Sequence, residues 1–286
     1  MTNELESMRA EPGTDIVLTG LPRSGTTLAC KLLSAAPQVL ALHEPLSIGA
    51  IPTDTIAAAA TVQRFFAEIR ATVLSKGTAP SRLVNGEVPD SPFPEPSPDT
   101  LLRDMPADSA RGTVAAPSNI RSGFTLVIKH PAAFTALLPE LSQRLPCFAM
   151  VRNPVGVLAS WSTCNAHFRR GRAPAAERFT PALAAALDAE PDPTSRQILL
   201  LEWFLKSFHE WLPRSRVLTY EALIASGGRG LSCIAGRPVP GRDSLAPRCR
   251  AYPPALVLAL KQRLLRLPAQ SPVWRYYRHD QVAGYE

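Results

Sequence analysis

The segment at 20–27, GLPRSGTT, combines residue types and spacing that suit the binding of an anion. Gly20 and Gly25 have the G-x-x-x-x-G spacing of a phosphate-binding loop, and the segment lies between an apolar run and an amphipathic stretch. In such a turn, successive backbone N–H groups and the start of the helix converge on an anion. The loop adds side-chain donors at four further positions: Arg23, Ser24, Thr26 and Thr27.

The two positions after Gly25 distinguish between classes of ligand. A nucleoside-triphosphate loop carries Lys and then Ser or Thr there, whereas this chain has Thr26 and Thr27. Because that lysine neutralises the β- and γ-phosphates, its absence argues against hydrolysis of ATP or GTP. Arg23, inside the loop, suits a shorter anion such as a single phosphate that carries a sulfate. The alternative is an ordinary strand-to-helix turn that contains two glycines.

A second cluster, VRNPVGVLASW at 151–161, ends an apolar run and opens a helical pattern. Pro154 stands where the first turn of a helix tolerates proline. Arg152 is predicted at the carboxyl end of a strand, where α/β folds bind ligands, and Ser160 follows two helical turns later. The alternative is a buried arginine paired with an acid and a serine that faces solvent.

These motifs sit in an alternating pattern of strands and helices, which predicts an α/β fold with a doubly wound parallel sheet flanked by helices. Short apolar runs predict strands at 16–19, 39–42, 124–129, 147–151 and 217–220. Helical patterns cover 27–36, 53–75, 132–144, 155–168, 195–211, a segment from 221 onward, and 254–267. We predict a polar tail at 1–14 and one domain at 15–286, in which the proline-rich segment 77–122 is an irregular loop or a lid.

Composition restricts the partners. The chain has 31 Lys and Arg against 24 Asp and Glu, a net charge of +7 that is spread along the sequence. This distribution favours a phosphorylated small ligand over nucleic acid. The polar N-terminus and the absence of an apolar run of about 20 residues predict no signal peptide and no membrane association. The five cysteines show no C-x-x-C or other paired spacing, which predicts reduced thiols, a cytoplasmic protein and no metal site. They are Cys30, Cys147, Cys164, Cys233 and Cys249.

Together, PRSGTTL at 22–28 and RNPVGVLASW at 152–161 resemble the sulfotransferases that use 3′-phosphoadenosine-5′-phosphosulfate (PAPS). The bacterial and protein-tyrosine branches of this family are the most similar. TYEAL at 219–223 and Lys129-His130-Pro131 are weaker matches in the same order. The resemblance covers about 15–45 and 124–225, and implies transfer of a sulfuryl group to a hydroxyl, with 3′-phosphoadenosine-5′-phosphate (PAP) as the product. Because the sequence shows neither the membrane anchor nor the cysteine framework of the tyrosine-sulfating relatives, we expect a small-molecule acceptor, such as a natural product or sugar.

The resemblance also implies roles for individual residues. Glu44 would act as the general base at the end of the second strand, with His43 as second choice and His130 as a helper or alternative base. Lys129 would stabilise the bridging oxygen and the leaving group. The residues expected to bind the donor are Arg23, Ser24, Gly25, Thr26 and Thr27 at the 5′-phosphosulfate, Arg152 and Ser160 at the 3′-phosphate, and Tyr220 near the nucleotide. No metal is implied. A phosphate-loop kinase and a non-catalytic PAPS- or PAP-binding protein are the alternatives, and the oligomeric state stays open.

Overall fold

The computed structural model describes residues 13–94, 102–243, 245–246 and 252–285. Most of the predicted polar tail, part of the proline-rich segment and Cys249 therefore lie outside the described residues.

A sheet of five parallel strands forms the centre of the molecule, in the order β2-β5-β1-β6-β7. Each strand is a short apolar run, and all but the edge strand β7 are buried along almost their whole length, as expected for strands covered on both faces. The strands are β1 (Asp15–Gly20), β2 (Val39–His43), β5 (Thr125–Lys129), β6 (Cys147–Val151) and β7 (Val217–Thr219). The predicted doubly wound α/β fold is confirmed.

Helices cover both faces of this sheet. Ile16 and Leu18 of β1 belong to the apolar core on one face, whereas Val17 belongs to the core on the other. The longer helices are α1 (Thr26–Leu33), α2 (Thr55–Lys76), α5 (Pro154–Ser162), α7 (Pro181–Ala189), α8 (Pro193–Trp211) and α11 (Pro254–Leu264). The shorter ones are α3 (Pro131–Ala136), α4 (Leu138–Leu141), α6 (Pro174–Glu177), α9 (Tyr220–Ala225), α10 (Ser232–Ala235) and α12 (His279–Ala283). No helix in the described part of the chain is both long enough and apolar enough to cross a membrane.

Two predicted helices differ from the structure. The helix predicted at 132–144 is divided into α3 and α4 at Leu137, because Pro139 has no N–H to donate and fits only the first turn of a new helix. The helix predicted at 155–168 ends at Ser162, and residues His167–Arg170 form a separate 3-10 turn.

The segment 77–122, predicted to be an irregular loop or a lid, contains two strands. Thr78–Leu83 (β3) and Ala110–Ala115 (β4) pair antiparallel as a separate two-stranded ribbon. The hydroxyl of Ser81 accepts a hydrogen bond of 3.1 Å from the backbone N–H of His43, which attaches the ribbon to the carboxyl end of β2. The insertion therefore reaches the edge of the sheet where the predicted site residues lie.

Candidate active site

Backbone conformation fixes the loop that follows β1. Gly20 has φ of 150°, and a Cβ added there would lie 2.5 Å from the carbonyl oxygen of Met150. Gly25 has φ of 88°, and a Cβ there would lie 2.6 Å from the ring of Tyr220. Both positions therefore require glycine, one for contact with the neighbouring strand and the other for contact with an aromatic ring.

The same loop is attached to the second motif by hydrogen bonds. The N–H of Leu21 and the hydroxyl of Ser24 both donate to the carbonyl of Met150, each at 2.9 Å. The indole N–H of Trp161 donates to the carbonyl of Pro22 at 2.8 Å. The two motifs that are distant in sequence thus form one rigid unit, in which the Ser24 side chain holds the loop and does not line the cavity.

The N-terminus of α1 is available to an anion. Gly25 is the N-cap and offers no side chain to the first-turn N–H groups, which have no partner within the helix. The hydroxyl of Thr27 lies at this end and accepts a hydrogen bond from the ammonium of Lys129 at 3.3 Å. Lys129 of β5 therefore places a positive charge beside this loop, which lacks the lysine of a nucleoside-triphosphate loop.

Arg152 lies at the carboxyl end of β6, as predicted, and its guanidinium contacts an aromatic ring and a backbone carbonyl. Its carbon lies 4.6 Å from the centroid of the Tyr220 ring, and Nη1 donates to the carbonyl of Arg23 at 3.4 Å. Tyr220 thus contacts both the glycine of the loop and the arginine of the second motif. This arrangement fixes the orientation of a cation beside the loop.

Ser160 is fully buried behind Arg23 and accepts hydrogen bonds from two guanidinium groups. Nε of Arg23 lies 3.1 Å from its hydroxyl oxygen, and Nη2 of Arg103 lies 3.3 Å from it. A hydroxyl oxygen has two lone pairs, and the two arginines occupy both as hydrogen-bond donors, so the hydroxyl proton points away from them. Arg103 comes from the proline-rich insertion and is itself buried, with Nη2 also donating to the Thr163 hydroxyl at 2.8 Å.

The resemblance of the motifs implies that Ser160 binds the 3′-phosphate of PAP. On that expectation, replacing Arg103 with methionine should weaken the binding of PAP about fivefold, because Ser160 loses a group that orients it. Adenosine 5′-phosphate, which has no 3′-phosphate, should bind equally well to both proteins. Calorimetric titration of both nucleotides checks this, and Arg103→Lys should restore part of the difference. A lower melting temperature with an unchanged ratio of the two affinities would show a role in folding only.

Glu44 and Lys129 form the other half of the site. Glu44 follows β2, Lys129 ends β5, and the ammonium lies 2.7 Å from Glu44 Oε1. Glu44 has φ of 49° and Arg23 has φ of 74°, a left-handed backbone that disfavours non-glycine residues by roughly 1–2 kcal/mol each. Strained residues of this kind concentrate at functional sites, and here both lie in the predicted one.

The environment of Glu44 keeps its carboxylate ionised. Partial removal from water raises the pKa of Glu44, but the charge of Lys129, followed by the hydrogen bond from His43, lowers it by more. The pKa therefore lies well below its ordinary value. The group thus carries its negative charge throughout the neutral and mildly acidic range.

The two histidines beside Glu44 have different surroundings. Burial lowers the pKa of His130 to about 3, and its Nε2 accepts a hydrogen bond of 3.1 Å from the N–H of Leu46. His43 is buried, its pKa is lowered by that burial and by Lys129, and its Nε2 lies 3.5 Å from Glu44. His130 thus has its acceptor nitrogen occupied, whereas His43 supports the carboxylate.

A cavity of about 540 Å³ joins these two halves at the carboxyl edge of the sheet. The predicted site residues line it, except Ser24 and Ser160, which are buried behind its wall. The lining members are Arg23, Gly25, Thr26, Thr27, His43, Glu44, Lys129, His130, Arg152 and Tyr220. Its volume lies within the range of pockets that hold cofactors and substrates.

Sequence reasoning did not find several residues of this cavity, which come from the insertion. Arg82 and Arg111 of the ribbon line it, as does the segment 90–94. In that segment the hydroxyl of Ser91 accepts a hydrogen bond of 3.1 Å from Arg23, and the Phe93 ring centroid lies 5.0 Å from the guanidinium carbon of Arg23. The sequence of 78–83 shows no clear strand signal, because Ser81 and Pro80 interrupt the apolar positions Ala79 and Leu83.

Across the described ranges, no three His, Cys, Asp or Glu side chains come together in a way that could hold a metal ion.

Comparison with known proteins gives distant structural likenesses. No protein-family model matches the chain, and no curated protein is significantly similar to it. Among solved structures, a sulfotransferase from Alicyclobacillus acidocaldarius is 13% identical with a TM-score of 0.43, covering 97% of each chain. The sulfotransferase domain from the curacin biosynthetic pathway is 16% identical with a TM-score of 0.41, covering 97% of this chain and 99% of that one. At this distance, a proposed function rests on the geometry of the site.

Proposed function

We propose that this protein is a sulfotransferase that moves a sulfuryl group from PAPS to a hydroxyl of a small-molecule acceptor. The observation that carries the proposal is the placement of an uncapped helix N-terminus, two arginines and an ionised Glu44–Lys129 pair on one cavity. The first three suit a donor with two separate phosphates, and the pair suits acid–base chemistry at a hydroxyl. The resemblance of the two sequence motifs assigns the same residues to the same tasks.

The residues present fit this donor. The N–H groups at the start of α1 and the hydroxyls of Thr26 and Thr27 would hold the 5′-phosphosulfate, with Arg23 beside them. Arg152 would hold the 3′-phosphate. It donates to the backbone carbonyl of Arg23, whose side chain in turn donates to Ser160. Arg103 donates to the same serine hydroxyl. PAPS supplies the sulfuryl group, whose bond to the phosphate oxygen breaks as the acceptor oxygen bonds to sulfur, with PAP as the leaving group.

Glu44 takes the proton that the acceptor hydroxyl loses. Lys129 then has two partners within reach, the Glu44 carboxylate at 2.7 Å and the loop residue Thr27 at 3.3 Å, so its charge can serve the anion that develops at the loop. His43 Nε2, 3.5 Å from Glu44, helps to orient the carboxylate. We assign the base to Glu44 over His130, because a backbone N–H occupies the acceptor nitrogen of His130.

Nucleotide selectivity tests the proposal. The protein should bind PAP without magnesium at least tenfold more tightly than adenosine 5′-phosphate, because the second phosphate adds charge-assisted hydrogen bonds. Titration calorimetry in the presence of a chelator measures both affinities. A subsequent screen with sulfur-labelled PAPS against hydroxyl compounds then detects transfer.

The alternatives predict other results. Binding of Mg·ATP in preference to PAP would contradict the proposal and support a phosphate-loop kinase. Tight PAP binding with no transfer of label to any acceptor, whether or not Glu44 is substituted, would support a non-catalytic nucleotide-binding protein.

A further inference from the structure

The charges around the cavity are unbalanced. The basic side chains that line it are Arg23, Arg82, Arg111, Lys129 and Arg152, and the acidic ones are Glu44 and Asp90. Asp90 pairs with Lys31 at 2.9 Å, and Glu44 pairs with Lys129. Because Arg23 and Arg152 belong to the proposed donor side, Arg82 and Arg111 remain as additional positive charge beside the proposed base.

Arg82 and Arg111 lie directly opposite each other on the two strands of the ribbon. Like charges in this relation destabilise a pair of antiparallel strands unless another group offsets their repulsion. Arg82 approaches Glu44 Oε2 at 3.7 Å, and its Nε is buried without a hydrogen bond to any described residue. The ribbon thus directs two guanidinium groups to the wall beside Glu44.

Arg111 extends this positive surface away from the base. Its Nη2 donates to the carbonyl of Leu46 at 2.8 Å and its Nη1 to the hydroxyl of Ser47 at 3.1 Å, so the side chain lies along the segment that follows Glu44. An acceptor whose hydroxyl contacts Glu44 would extend its remaining atoms along this wall. The guanidinium groups then meet a part of the acceptor several atoms from the reacting oxygen.

We propose that the acceptor carries an anionic group, such as a carboxylate, which Arg82 and Arg111 bind while its hydroxyl faces Glu44. This inference rests on the proposed function and specifies its substrate class. Guanidinium groups bind carboxylate, phosphate and sulfate through similar paired hydrogen bonds, so the shared feature is the negative charge.

Matched pairs of acceptor analogues test this inference. Each pair joins an aryl or alkyl hydroxy acid with its primary amide, for example 3-(4-hydroxyphenyl)propanoate and 3-(4-hydroxyphenyl)propanamide. The pairs are titrated into the PAP-saturated protein and into the free protein. Each acid should bind about tenfold or more tightly than its amide, the range expected for charge-assisted hydrogen bonds.

Arg111→Gln should bring the acid-to-amide ratio of affinities close to one while PAP affinity stays unchanged, and Arg111→Lys should retain part of the preference. Arg64→Gln, the same loss of charge on the exposed side of α2, should keep the wild-type ratio. Equal binding of acids and amides, failure of every acid to bind, or an unchanged ratio in Arg111→Gln would overturn the inference. If PAP binds and the preference is absent, only the acceptor inference fails; if PAP does not bind, the proposed function fails.

Discussion

Replacing Arg152 with alanine is expected to weaken the binding of PAP roughly a hundredfold, because two charge-assisted hydrogen bonds to a phosphate are lost. The guanidinium is almost completely buried, lies over the Tyr220 ring and donates to the backbone of Arg23. Adenosine 5′-phosphate should lose little affinity, since it lacks the phosphate that Arg152 is proposed to hold. Titration of both nucleotides separates the loss of a phosphate contact from a general distortion of the site.

Two further variants sharpen this result. Arg152→Lys keeps the charge but loses the planar fork and the stacking on Tyr220, so its affinity for PAP should be intermediate. Arg216→Ala removes an arginine whose guanidinium carbon lies 5.7 Å from the Phe148 ring but which does not line the cavity, and it should leave PAP binding unchanged. Wild-type affinity for PAP in a folded Arg152→Ala protein would refute the assignment of the 3′-phosphate site.

Substitution of Glu44 by glutamine should reduce the rate of sulfuryl transfer by about 10²- to 10⁴-fold, the usual contribution of a general base. The amide has nearly the same shape but cannot take the acceptor's proton. PAP affinity should stay the same or increase, because Lys129 no longer has a carboxylate 2.7 Å away and is free to serve the donor anion. Single-turnover transfer from labelled PAPS to the best acceptor from the screen measures the first effect, and calorimetry the second.

The pH profile and a matched variant complete this test. Since the pKa of Glu44 is depressed, its carboxylate stays ionised as pH falls from 8 to 5, so the wild-type single-turnover rate at saturating PAPS should show no protonation step near the ordinary histidine value of about 6.5. Asp90→Asn removes a carboxylate elsewhere in the same cavity and should retain most of the activity. Near wild-type single-turnover rates in the Glu44→Gln protein would show that a group other than Glu44 is the base.

Much of this architecture could be predicted because local sequence determines it. The strands are continuous apolar runs, the loop glycines occupy positions where a Cβ would collide, and parallel strands bring their carboxyl ends to one edge. That last rule is why Glu44, Lys129, Arg152 and the loop could be expected together although they are spread over more than a hundred positions. The grouping of these side chains around one cavity agrees with that expectation.

The insertion could not be predicted in the same way. β3 contains Pro80 and β4 is largely exposed, so neither has the apolar run that identifies a buried strand. Arg82 and Arg111 reach the cavity because they pair across the ribbon, and Arg103 reaches Ser160 because it is buried against α5. These are tertiary contacts, for which the sequence has no periodic signal. Ser24 and Ser160 show the converse. The resemblance assigned both to the donor, whereas the Ser24 side chain holds the loop and the Ser160 side chain contacts two arginines.

The attachment of the ribbon to β2 separates two tasks within the chain. The parallel sheet and its loops carry the proposed donor site, whereas the ribbon inserted between β2 and β5 carries the arginines assigned to the acceptor. Hydrogen bonds between the Ser81 hydroxyl and the backbone N–H and carbonyl of His43 join them beside the proposed base. We therefore expect substitutions in the strands of the ribbon to alter which acceptor is recognised while the residues of the proposed nucleotide site stay in place.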